Sequence, residues 1–135
     1  MKELSLDARV ENIERVTDFV NEALEEMGCP IKTQMQIDVA IDELFCNISS
    51  YAYAPGTGSA TVRFEADPDG HGITLSFIDS GVPYNPLEAP DPDVTLSAAE
   101  RKIGGLGVFV VKKTMDSVQY RFENGQNILT IGKKW

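Results

Sequence analysis

Glu43 and Asn47 stand four residues apart within the stretch Gln36–Tyr53, QIDVAIDELFCNISSYAY. On a helix that spacing puts a carboxylate and a carboxamide on one side, about one turn from each other. Such a pair is ordinarily solvated surface. Stacked this way it can also share one small charged ligand. Two glycine-bearing segments, Asp79–Pro83 and Gly104–Gly107, follow at intervals that can close a pocket over it.

In Ile78-Asp79-Ser80-Gly81-Val82-Pro83 a carboxylate ends an apolar strand and a glycine comes two residues later. The carboxylate can accept a hydrogen bond from an exocyclic amine, and Gly81 leaves room for a flat ring beside the backbone. The bland alternative is an ordinary turn before a proline. In Lys102-Ile103-Gly104-Gly105-Leu106-Gly107 a glycine-rich turn runs into a helix. Free N–H groups at that helix start suit phosphate oxygens, and Arg101 and Lys102 would add cationic donors. Here the alternative is a plain hinge. The segment is neither a Walker A loop, lacking G-K-[ST], nor a dinucleotide fingerprint in a βαβ unit.

These segments need a frame. Around Glu43 and Asn47, apolar residues recur at Ile37, Ile41, Leu44, Ile48 and Tyr51, the spacing of one buried helical face. Thr33 and Gln36 form a T-x-x-Q capping-box pattern ahead of it. Upstream, Glu3–Asp7 alternates as a short edge strand, and Ala8–Met27 carries apolar residues from Val10 to Met27 in steps of three and four. Gly28 and Pro30 end that first helix. Thr61–Ala66 and Gly72–Ile78 alternate around the turn Asp67-Pro68-Asp69-Gly70, with Val62, Phe64, Ala66, Ile73, Leu75 and Phe77 inward. His71, the sole histidine, falls at this turn and reads as an exposed loop residue. Asp79–Lys102 is proline-rich and acidic, with a short helix expected at about Leu96–Arg101. A helix with Val108, Val111 and Met115 follows, then strands Ser117–Glu123 and Asn127–Lys133 joined by Asn124-Gly125.

The 135 residues are expected to form one domain, 1–135. The element order predicts an α+β two-layer sandwich, with helices on one face of a mixed, mostly antiparallel sheet. A hydrophobic fraction of 42% and a charged fraction of 24% are those of a soluble globular protein. Nothing resembles a secretion signal or a membrane span, and Cys29 and Cys46 read as reduced thiols, so a cytoplasmic protein is expected. The net charge of −9 speaks against nucleic-acid backbone binding. It leaves room for a nucleotide, whose phosphates a divalent cation can neutralise.

Taken in order, E-L-F-C-N on a helix, a strand leading into D-S-G-V-P-Y-N-P, and G-G-L-G-V-F-V-V-K-K-T-M-D-S-V resemble the GHKL ATP-binding superfamily. Within it, the bacterial anti-sigma factor serine/threonine kinases are the nearest match, from about Asp7 to Lys134. The resemblance implies a Bergerat-type fold holding ATP and Mg²⁺. Asn47 then looks like the Mg²⁺ ligand, Asp79 the adenine-reading carboxylate, and Gly81 its ring clearance. Lys102, Gly104, Gly105, Leu106 and Gly107 look like the lid and phosphate cradle, and Glu43 like the general base. Two positions depart from the family pattern. Tyr51 stands where histidine is common, and Gln126 where threonine usually follows the hairpin glycine; Thr130 lies too far along to replace it.

The function this implies is transfer of the ATP γ-phosphoryl group to a Ser or Thr of an antagonist protein. A sigma factor would be the sequestered partner and a homodimer is plausible, with no direct nucleic-acid or membrane partner. The alternative is a non-catalytic, nucleotide-gated module that holds a partner. A detached sensor-kinase ATPase half ranks below both, because no phosphoacceptor histidine helix accompanies it.

Overall fold

The computed structural model describes residues 1–88 and 106–135, without the Leu106 side chain. The chain opens with β1 (Lys2–Asp7), a 3₁₀ turn (Val10–Asn12), α1 (Ile13–Glu26) and α2 (Ile31–Asn47). A single π turn (Ile48–Ala52) extends α2 before the hairpin of β2 (Ser59–Ala66) and β3 (Gly72–Asp79). After a 3₁₀ turn (Pro86–Glu88) come α3 (Leu106–Thr114), β4 (Ser117–Glu123) and β5 (Gln126–Lys134). The helix expected at Leu96–Arg101 lies outside the described residues.

The sheet order is β1-β2-β3-β5-β4, and among the described residues all four pairings are antiparallel, where a mixed, mostly antiparallel sheet was anticipated. Direction explains the difference. β3 and β4 run the same way, but β5 folds back between them through Asn124-Gly125, so no two parallel strands become neighbours. Asn124 (φ 53°) and Gly125 (φ 76°) both take the left-handed conformation that a tight two-residue hairpin demands.

α1 closes with a full C-terminal motif: Gly28 at φ 72°, its N–H to Glu25 O at 3.1 Å, and Cys29 N–H to Leu24 O at 3.0 Å. The start of α1 is later than its periodicity suggests, and Val10 is exposed. The chain there is still tied to the strands, by Ala8 N–H to Gly58 O (2.8 Å) and Asn12 Nδ2 to Asp7 O (2.8 Å). α2 begins a turn earlier than the T-x-x-Q pattern implies, so Thr33 and Gln36 lie inside the helix and do not cap it. Pro30 occupies the N-cap instead, its carbonyl accepting from Gln34 N–H at 2.9 Å. A proline has no donor to leave unsatisfied at that end.

The core lies between the helix layer and one face of the sheet. Val16, Val20 and Leu24 of α1, Ile37, Ile41, Leu44 and Phe45 of α2, and Val111 and Met115 meet Val62, Phe64, Leu75, Phe77 and Ile131. Ala66, at the end of β2, is exposed rather than inward. The opposite sheet face carries polar pairs: Ser5–Thr61 (2.8 Å), Ser76–Thr130 (3.1 Å) and Arg63–Glu3 (2.6 Å). His71 is exposed at the β2–β3 turn. Cys29 is buried, Cys46 half-buried, and both are free thiols. Among the described residues no helix is long and apolar enough to cross a membrane.

Candidate functional site

β3 ends and β5 begins at the same edge of the fold, and their register sets Asp79 directly opposite Asn127. Both side chains point under the helix layer and are only 6% exposed, the two buried polar residues among the described ones. A buried carboxylate needs partners. Asp79 Oδ1 accepts from Gly81 N–H and from Asn127 Nδ2, each at 2.9 Å. Asn127 Nδ2 also donates to Val82 O at 3.0 Å, while its Oδ1 accepts from Tyr84 N–H (3.1 Å) and the Tyr120 hydroxyl (2.5 Å). Among the described residues no hydrogen bond reaches Asp79 Oδ2.

Asp79 lines a cleft, open to solvent, between the sheet and the end of α2. Leu44, Ile48, Ala52, Phe77 and Leu129 give it apolar walls, Tyr51, Val82 and Tyr84 stand at its mouth, and Asn47 enters from the helix side. Mostly apolar walls with one uncommitted carboxylate oxygen suit a flat ring carrying a hydrogen-bond donor.

The loop after β3 is pinned in two ways. Val82 N–H donates to Ala52 O at 2.9 Å, and a Cβ on Gly81 would overlap that same carbonyl. The space that Gly81 leaves free is thus taken up by the end of the π turn. The Tyr53 hydroxyl donates to Ser59 O (2.6 Å) and accepts from Ser80 N–H (2.7 Å), bridging the loop to β2. Tyr51 leaves the buried stripe of α2 and is 63% exposed, because the π turn unwinds the helix after Asn47 and swings its ring to the cleft mouth. Such turns frequently occur at functional sites.

Glu43 lies one turn before Asn47, against the start of α3. A Cβ on Gly107, the second residue of α3, would overlap the Glu43 carboxylate. Burial raises the Glu43 pKa above its ordinary 4.5, and the neighbouring Asp42 charge adds to the rise. A raised carboxylate pKa suits a proton acceptor working near neutrality.

Asn47 and Asp79 therefore share one cleft, with Gly81 behind the Asp79 loop and Glu43 beside Gly107. Leu106 begins α3; Lys102, Gly104 and Gly105 lie outside the described residues. Two residues of the site, Asn127 and Tyr120, fall in no motif, and Tyr84, inside D-S-G-V-P-Y-N-P, takes no role from that motif. A signal for Asn127 exists in the alternation of β5, where it falls on the inward phase with Leu129 and Ile131. Gln126 is exposed, and Thr130 faces outward to Ser76.

A helix layer over one face of an antiparallel sheet, with a carboxylate-ended apolar cleft between, defines a small α+β ligand-binding domain. Residues 6–133 match the histidine kinase-like ATPase domain, and the chain belongs to that family. It is 26% identical over 100 residues to the serine/threonine-protein kinase BtrW of Bordetella bronchiseptica, covering 74% of this chain and 70% of that protein. It is 23% identical over 131 residues to the serine-protein kinase RsbW of Bacillus mycoides, covering 94% of this chain and 81% of that protein.

Proposed function

We propose that this chain binds ATP in the Asp79 cleft and transfers its γ-phosphoryl group to a serine or threonine of a protein partner, as an anti-sigma regulatory kinase. The observation that carries the catalytic part is Glu43: a half-buried carboxylate with a raised pKa, held one helical turn from the cleft residue Asn47. A binding module has no chemical need for a base there. The two kinase-named relatives support the same reaction class.

In this reading Asp79 Oδ2 accepts the exocyclic amine of adenine, and Leu44, Ile48, Phe77 and Leu129 exclude water from the ring. The Glu43 carboxylate accepts the proton of the attacking hydroxyl as its oxygen bonds to the γ-phosphorus. The bond from that phosphorus to the β–γ bridging oxygen breaks, and ADP leaves with the electron pair. Backbone N–H groups at the start of α3 would meet phosphate charge. Among the described residues no three His, Cys, Asp or Glu side chains gather as a metal site. Mg²⁺ typically keeps several waters and takes one or two protein oxygens beside substrate phosphates, so a lone Asn47 amide oxygen in the cleft fits it. Bound there, the ion would supply charge neutralisation for the phosphates.

The partner in this reading is an antagonist protein presenting a phosphorylatable hydroxyl, with a sigma factor as the sequestered protein and a homodimer as the working unit. The test is to incubate the chain and its co-purified partners with γ-labelled ATP. Label on a partner serine or threonine, lost with Glu43→Gln while ATP binding persists, supports the kinase. Partner capture with no labelled protein assigns a nucleotide-gated module instead.

A further inference from the structure

The cleft wall formed by residues 79–84, Tyr120 and Asn127 has a polarity that follows bond by bond. The backbone N–H groups of its loop, residues 80–84, are all committed within the protein. Ser80 donates to the Tyr53 hydroxyl at 2.7 Å, Gly81 to Asp79 Oδ1 at 2.9 Å, Val82 to Ala52 O at 2.9 Å and Tyr84 to Asn127 Oδ1 at 3.1 Å. Pro83 has no N–H to offer. Asn127 is saturated too: Nδ2 serves Asp79 and Val82 O, and Oδ1 accepts from Tyr84 N–H and Tyr120. The orientation of this amide is fixed by its neighbours, since Val82 offers only a carbonyl there and Tyr84 only an N–H. The Tyr120 hydroxyl must then donate its one hydrogen to Asn127 Oδ1. Toward the cleft its oxygen has only acceptor capacity left.

With the backbone N–H groups of residues 80–84 and the Asn127 amide committed, the inner wall at Asp79 and Tyr120 is left with two acceptors, Asp79 Oδ2 and the Tyr120 oxygen. We propose that Tyr120 is a second specificity-determining residue for the base, its hydroxyl oxygen accepting one N–H of an exocyclic amine whose other N–H goes to Asp79. This rests on the ATP-binding reading above and extends it, because a 6-oxo purine would set its own acceptor against two more. Burial holds the phenol pKa above its ordinary 10; the Tyr84 backbone N–H opposes this, and the Asp79 and Glu88 charges add lesser rises. The hydroxyl keeps the hydrogen that fixes its polarity.

The test compares wild type and Tyr120→Phe by calorimetric titration with ATP, with inosine triphosphate and with purine riboside triphosphate, which lacks the 6-amino group. Tyr120→Phe is expected to weaken ATP about three- to tenfold, the worth of one neutral hydrogen bond, and to leave purine riboside triphosphate within about twofold. The ATP preference over inosine triphosphate shrinks in step. Equal losses for ATP and purine riboside triphosphate would mean a merely structural role, and no loss for either would mean no role; both overturn the assignment. Wild-type protein that binds none of the three refutes the ATP reading itself, a different failure. Should the variant not fold, wild type alone decides: N6-methyl-ATP bound as tightly as ATP shows that one amine N–H is unread and overturns the proposal, whereas a loss of about tenfold or more supports it.

Discussion

Replacing Asn127 by aspartate keeps the volume and changes only the polarity, turning the donor that faces Asp79 into an acceptor. The nitrogen it replaces lies 2.9 Å from Asp79 Oδ1. Two ionised carboxylates at that separation repel by roughly 6 kcal/mol at an effective dielectric of about 20. The pair escapes by binding one proton, which at pH 7 costs about 4 kcal/mol for a group of ordinary carboxylate pKa. The cheaper route wins, so the expected loss at pH 7 is about 4 kcal/mol, a large part of the roughly 5–15 kcal/mol that holds a domain together. The shared proton raises the pair's folded pKa above its unfolded value. The folded state is therefore favoured below the unfolded pKa and loses that support as pH rises, and by about pH 4.5 the cost falls below about 1 kcal/mol. Asn127→Leu is the control. It removes all four hydrogen bonds of the Asn127 side chain without adding charge, whereas aspartate loses only the two that Nδ2 donates. Val82 and Tyr84 are exposed enough to find solvent, so the cost is mainly that of Asp79 losing one of two partners, about 1–3 kcal/mol at either pH. Urea unfolding of both variants at the two pH values measures this. Equal losses for Asn127→Asp and Asn127→Leu at both pH values would refute the placement of this amide against Asp79.

Three further expectations rest on separate observations. Glu43→Gln should lower phosphoryl transfer by about 10²- to 10⁴-fold with ATP affinity retained. The wild-type rate should rise with pH through the raised Glu43 pKa, and Asp42→Asn, which removes the second cause of that rise, should move the acid limb to lower pH in a transfer-rate profile. Between α1 and α2, Asn21 Oδ1 and Asp38 Oδ1 are buried acceptors without a protein partner, and burial raises the Asp38 pKa above its ordinary 3.8. The stability tied to protonated Asp38 is present in acid and lost as pH rises through its folded value. Asp38→Asn supplies a permanent donor and should gain about 0.5–1.5 kcal/mol near neutrality, seen as a melting temperature higher by roughly 2–5 °C, with little gain in acid. Gly81→Ala would drive a methyl into the Ala52 carbonyl and force the loop off the π turn, at about 1–3 kcal/mol. ATP titration should show weaker binding, and an unchanged affinity would mean the loop position does not matter.

Much of the fold was legible because periodicity and turn chemistry are local. Asn124-Gly125 could be read as a hairpin because two consecutive left-handed residues leave few other choices. The buried face of α2 followed from Ile37, Ile41 and Leu44 for the same reason. The errors lie where a distant group competes. Thr33 and Gln36 look like a cap, but Pro30 starts α2 first, and nothing in a four-residue pattern reveals that. Tyr51 keeps helical spacing in the chain and loses it in space, because the π turn after Asn47 changes the phase.

The site divides along the same line. Glu43 and Asn47 are one turn apart on one helix, so their shared side was readable from spacing alone. The partners of Asp79 were not, because they are set by strand register: β5 must slide until Asn127 faces Asp79, and β4 until Tyr120 reaches Asn127. A slip of one residue on β5 would turn Asn127 to the outer face, beside the Ser76–Thr130 layer, and would bring a side chain of the opposite phase under the helices. The buried Leu129 and Ile131 resist that slip, since it would move them into solvent. The apolar half of β5 thus holds its polar first turn in place. The partner that Asp79 meets is chosen by hydrophobic residues further along the strand.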